Sequence, residues 1–182
     1  MDRPAREQVI AGAGAALAVA SVPLPYLGVG GDPLVVAFPA GTADVNALVA
    51  AAVLAGAAVA LRDHTRGEQL LGTVAGGLAA AVGVDWLAAT AGAGGPFGQL
   101  SAGPGLVVAM VAWGIVEVAA LLDPGRSHPR TPRWIAVTAV GVCVAGAAGF
   151  LVVDGAVRLV PGALGVVAWL YVVRWELEAS RG

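Results

Sequence analysis

The chain has no lysine, one cysteine, two histidines and little charge of any kind, with 12% of its 182 residues being Asp, Glu or Arg. Each shortage removes a class of chemistry. Without lysine there is no P-loop to grip a nucleoside triphosphate. With Cys143 alone, no disulfide forms within the chain. His64 and His128 both sit in arginine-rich connections, so neither stands inside an apolar segment as bis-histidine haem ligation would require. His64 and Glu68, four apart, offer two ligands where a metal site needs more. The pattern reads both histidines as solvated loop residues. No G-x-S-x-G occurs, and Ser21, Ser101, Ser127 and Ser180 have no histidine at matching depth. The glycine-rich "AGAGGPFG" follows no strand and reads as a loop. The expectation is a protein with no catalytic constellation, no cofactor and no metal site. No basic patch suits nucleic acid.

What the chain does have is apolar surface, at 58% of residues. A soluble domain carries about 25% charged residues. At half that, too little polar surface remains to cover a globule in water, so the implied solvent is lipid. All ten positive charges are arginine, which with the Ala, Gly and Val content fits a GC-rich coding bias.

A hydrocarbon core about 30 Å thick takes roughly 20 apolar helical residues. Six stretches meet or approach that length: 8–28, 45–61, 70–91, 104–122, 134–153 and 157–175. They lack strand alternation and are rich in Ala and Leu, so the predicted fold is all-α: a polytopic transmembrane helix bundle of six spans in a single membrane domain. Arg3, Arg6, Arg62, Arg66, Arg126, Arg130, Arg133, Arg174 and Arg181 all fall on one side if six spans alternate, and Arg158 alone falls on the other. Arginine resists translocation, so the rich side is expected to be cytoplasmic, with both termini on it. A competing reading takes residues 1–20 as a secretory signal cleaved before Ser21, which leaves five spans. The apolar run continues through "VPLPYLGVG", which favours a first span kinked at Pro23 and Pro25.

The outward connections, "GDPLVVAFPAGTAD" and "AGAGGPFGQLSAGP", are rich in Gly and Pro, and neither reads as a folded domain. "PLVVAF" is too short to span and is expected at the interface or dipping back into the bundle. Spans four and six share V-A-W at Trp113 and Trp169, which points to three helical hairpins related by duplication. Gly72, Gly76, Ala79 and Gly83 make a small-residue stripe on span three, and Gly141, Ala145 and Gly149 another on span five. Such stripes let backbones approach closely, so spans three and five are expected to pack internally through them.

Ionisable residues in or near spans draw functional suspicion because charge is costly in lipid. These are Asp85, Glu117, Asp154, Arg158 and Arg174. At about 1.5 Å per residue, Glu117 and Arg174 lie roughly 20 and 25 Å from the outer ends of their spans, near enough to pair. Arg158, the sole outward arginine, is expected to bridge Asp85 and Asp154 as an outer helix lock. The functional expectation is a small non-catalytic integral membrane protein, an accessory or structural subunit whose partners are the lipid bilayer and other membrane subunits. The alternative is a small proton- or cation-linked transporter or channel using Asp85 and Glu117.

Overall fold

The computed structural model describes residues 5–29, 32–33, 35–38, 41–92, 100–123 and 132–179. They form six helices: α1 (Arg6–Ser21), α2 (Val45–Ala60), α3 (His64–Thr90), α4 (Pro104–Leu122), α5 (Arg133–Val152) and α6 (Leu159–Ala179). A 3-10 turn, Ala156–Arg158, leads into α6. The segments His64–Thr90, Pro104–Leu122, Arg133–Val152 and Ala156–Trp175 are long and apolar enough to cross a membrane. The all-α fold expected from the sequence is the fold observed.

Helix boundaries follow local chemistry. Asp44 caps α2 by accepting the Asn46 N–H at 2.9 Å, and Asp63 caps α3 by accepting the Arg66 N–H at 3.0 Å. Pro104 opens α4 at a position where its missing N–H costs nothing. The first expected span is corrected. Instead of continuing to residue 28 with a kink, α1 stops at Ser21, because Pro23 and Pro25 cannot supply the N–H groups that would continue it. At 16 residues each, α1 and α2 extend about 24 Å. The third helix, by contrast, begins six residues earlier than expected, so "HTRGEQ" is its first turn and a half rather than a connection.

The connections expected to face outward hold short strands where loops were expected: β1 (Leu27–Val29), β2 (Asp32–Pro33), β3 (Val35–Phe38), β4 (Gly41–Asp44) and β5 (Leu100–Ala102). "PLVVAF" supplies β3, which pairs antiparallel with β4 from Val35↔Asp44 to Phe38↔Gly41. β1 pairs with β2 and also with β5, Leu27 opposite Ala102. Strands β1 and β5, whose paired residues are 71 to 75 apart in sequence, therefore join these two connections in one small sheet. Asn46 fixes its base, with its side-chain oxygen accepting from the Tyr26 and Leu27 N–H groups (2.7 and 2.9 Å) and its amide donating to the Leu27 carbonyl (3.0 Å).

α4 is the centre of the bundle, touching α1, α3 and α5. Its Leu106, Ala109, Met110, Ala112 and Val116 are buried with Ala15 and Ala18 of α1, Val53 and Ala57 of α2, and Leu71 and Ala75 of α3. α1 comes so close that a Cβ on Gly14 would lie 2.7 Å from Val116. Consecutive helices do touch pairwise, yet the main partner of α1 is α4, so the arrangement is not three equivalent hairpins. The α5–α6 pair packs tightly within itself and joins the rest through α5 against α4. A second buried cluster, Leu121, Ala136, Val140, Val144 and Trp175, lies at the arginine-rich ends of α4, α5 and α6.

The glycine stripes pack internally in part. Gly76 and Gly141 have open space where a Cβ would go, and Gly83 faces the Phe150 ring at 3.5 Å. Gly72 accommodates the Trp113 indole, with a Cβ there falling 2.7 Å from Nε1. The closest approach of α5 is to α6. Gly149 meets Pro161, and Gly146 meets the Pro161 carbonyl and the backbone of Gly165. Helices α3 and α5 thus diverge rather than pack through their stripes, because the hairpin turn at Gly155 (φ 74°) folds α6 back onto the glycine face of α5.

Candidate functional site

The divergence of α3 from α5–α6 opens a cleft of about 1020 Å³. Gly72, Gly76, Gly77, Ala80 and Gly83 of α3 form one wall. Cys143, Ala147 and Phe150 of α5, with Gly162, Val166 and Trp169 of α6, form the other, and Met110 and Trp113 of α4 line the back. At the arginine-rich end it continues into a second cavity of about 300 Å³, which shares Glu68, Gln69, Trp113, Cys143 and Trp169 with it and adds Glu117.

That end is where polar groups gather. Glu117 is 3% exposed. Glu68 Oε1 accepts the Trp113 indole N–H at 3.0 Å, and His64 Nε2 lies 3.1 Å from Asp123 Oδ2, tying the start of α3 to the end of α4. His64 is therefore a helical, partly buried residue in place of the solvated loop residue expected. His128 lies outside the described residues. Glu68 and His64 do share a helical face, and that face looks at α4. The sequence signal for this was present: two polar residues four apart at the head of a helix, with a tryptophan at comparable depth on the next.

The expected Glu117–Arg174 pair is corrected. Arg174 is 79% exposed at its side chain and its Nε contacts Glu178 Oε1 at 2.9 Å, one turn along the same helix. Depth was matched, since Val173 lines the same cavity as Glu117, but the rotation of α6 about its axis points Arg174 away from the bundle.

The expected outer lock also differs in kind. Asp85 is 1% exposed, and its Oδ2 accepts the Leu100 N–H of β5 at 2.7 Å. Arg158 instead lies over two aromatic rings, its guanidinium carbon 4.3 Å from the Trp86 centroid and 4.6 Å from that of Phe150. The rings meet edge to face at 5.8 Å and 89°. Asp154 is exposed at the end of α5. Arg158 thus does join α3 to the α5–α6 turn, through the negative faces of two rings, with the Asp154 carboxylate near enough to act on its charge. Asp85 serves the sheet above.

Tyr26, beyond the end of α1, is fully buried and shares a 2.8 Å hydrogen bond with Ser21, whose Oγ also donates to the Ala18 carbonyl at 2.7 Å. Burial pushes its phenol above the ordinary value, and the Ser21 hydrogen bond works against that rise.

Compared with protein-family models, with curated proteins and with solved structures, the chain matches none.

Proposed function

We propose that this is a non-catalytic integral membrane protein, an accessory or structural subunit of a larger membrane assembly. The arginine-rich side, both termini included, faces the cytoplasm on this reading, for the charge bias given above. One observation carries the functional part: the carboxylate of Asp85 is spent on the backbone of the outer sheet, 2.7 Å from the Leu100 nitrogen. A buried carboxylate committed to a backbone N–H serves the fold, tying α3 to β5, rather than standing open to an ion path. Along α3, Asp85 also stands 17 residues from Glu68, about 25 Å. The wall between them is mostly glycine and alanine, with Gln69, Thr73 and Val84.

The second reading, a proton- or cation-linked transporter or channel through Asp85 and Glu117, is favoured by Glu117, which lines a cavity while 3% exposed. Purified protein in liposomes loaded with a pH-sensitive dye separates the two. The subunit reading expects no proton or cation flux. It expects Asp85→Ala to lose about 2 kcal/mol of stability by leaving the Leu100 N–H unmet. Flux that Asp85→Asn or Glu117→Gln abolishes in a folded protein establishes the transporter. A reporter fused after Gly182 that reads as exported overturns the orientation.

A further inference from the structure

Resting on the subunit reading, we propose that the cleft between α3 and α5–α6 seats one transmembrane helix of a partner protein, which carries a basic side chain at its cytoplasmic end.

Three features of the cleft select this occupant. The first is length. Glu68 and Leu87 of α3 both line it, and 19 residues of helix extend about 28 Å. That is close to the whole hydrocarbon core of about 30 Å. A lipid chain belongs to one leaflet and reaches only its half of that depth, whereas a helix runs the full distance. The second is the character of the wall. Helices in lipid associate by close packing of small residues, and a Cβ on Gly76 or Gly77 would meet nothing within 4 Å. The bundle already uses this mode where Gly146 meets Gly165, so the α3 wall is the same kind of surface left uncovered.

The third feature is charge. Glu68 lines one end of the cleft. A carboxylate offers about four acceptor positions, and the Trp113 indole takes one on Glu68. At the far end the Trp86, Phe150 and Arg158 cluster closes the gap between α3 and α5. The cleft is therefore acidic at its cytoplasmic mouth and apolar above. Its complement is a helix that is apolar for most of its length and places a lysine or arginine about one turn inside the cytoplasmic interface. The chain's own Arg174 does not fill this role, since it turns outward to Glu178.

Cys143, the only cysteine of the chain, lines the cleft and provides a native reporter. The probe is a synthetic single-span Leu/Ala peptide of about 22 residues with one lysine near its cytoplasmic end, reconstituted with the protein in liposomes. A set of such peptides, each with one cysteine at a successive position, is oxidised with copper phenanthroline. Disulfide yield to Cys143 is expected to rise and fall with a helical period of about 3.6 residues. Replacing the lysine by leucine, or making Glu68→Gln in the protein, is expected to lower the peak yield about threefold or more. Gly76→Leu fills the cleft at a place with room for the side chain, so it is expected to keep the melting temperature while abolishing the peak. Yields without periodicity, or unchanged in Gly76→Leu, overturn the proposal. So does a Cys143–Cys143 dimer of the protein that excludes the peptide, which makes a second copy the occupant. A lipid retained by the purified protein in native mass spectrometry and blocking the peptide makes it a lipid groove. The dye assay on the same vesicles keeps the failures apart. Silent vesicles with no seated peptide remove only the cleft assignment, while a Glu117-dependent flux removes the subunit reading beneath it.

Discussion

α4 and α6 are both apolar enough to cross a membrane, yet 61% of the most apolar stretch of α4 is buried inside the bundle against 11% of that of α6. In water such a difference would show in composition, because an unburied apolar face is penalised. In lipid it does not show, since an apolar side chain has nothing to gain by exchanging acyl chains for protein. What puts α4 at the centre is shape. Gly14 lets α1 settle against Val116 and Ala112, and Gly114 lets Val144 of α5 come equally close. α6 has such a fit on one side only, against Gly146 and Gly149, and its other faces stay open.

The sharpest test of this contrast puts one substitution into both regions. Gly14→Leu drives a side chain into Val116 and the Ala112 carbonyl, and overpacking of that kind is expected to cost about 3 kcal/mol, read as unfolding in mixed detergent micelles. Gly76→Leu, with open space around it, is expected to change stability by less than about 0.5 kcal/mol. Equal losses at the two sites would mean that the open half is packed in the membrane and that no cleft exists.

A smaller effect is expected where the halves meet. Removing the guanidinium with Arg158→Gln is expected to cost about 1 kcal/mol, and Trp86→Leu a similar amount. Because both break one cluster, the double variant should lose clearly less than the sum. Simple additivity would show that Arg158 and Trp86 act independently, and that α3 is held to α5 by something else.

The smallest effect belongs to the closed half and depends on pH. Tyr26 keeps its proton more firmly in the folded chain than in the unfolded one. Its contribution is therefore fully present below the ordinary phenol value of about 10 and declines as pH rises beyond it, because the unfolded state releases the proton first. Tyr26→Phe should flatten the stability curve above that pH while leaving the rest of the profile in place. An unchanged decline in the variant assigns the alkaline loss to other groups.

The boundaries of α4 and α5 were legible in the sequence almost to the residue, because hydropathy, Pro104 and Pro132 all act locally. The start of α3 was not, since "HTRGEQ" has the charge of a loop and becomes helical under the Asp63 cap, with its polar face turned to α4. Of the candidate site, the burial of Asp85 and Glu117 could be anticipated from their depth, but their partners could not. Depth counts residues along an axis, whereas partnership depends on rotation about it. That is why Arg174 reaches Glu178 and why Trp86, rather than Asp85, meets Arg158.

That this chain is a helical bundle suited to lipid, roughly where its helices lie, and which end collects the arginines can all be read from the residues in order. These follow from composition and from interactions within a few residues. That α4 is central, that two distant connections join in a sheet, and that α3 parts from α5–α6 to leave a cleft with Glu68 at its mouth came from packing in three dimensions. In a medium where burial carries no hydrophobic reward, those outcomes rest on how particular surfaces fit, and fit is a property of pairs of helices that no single stretch of sequence encodes.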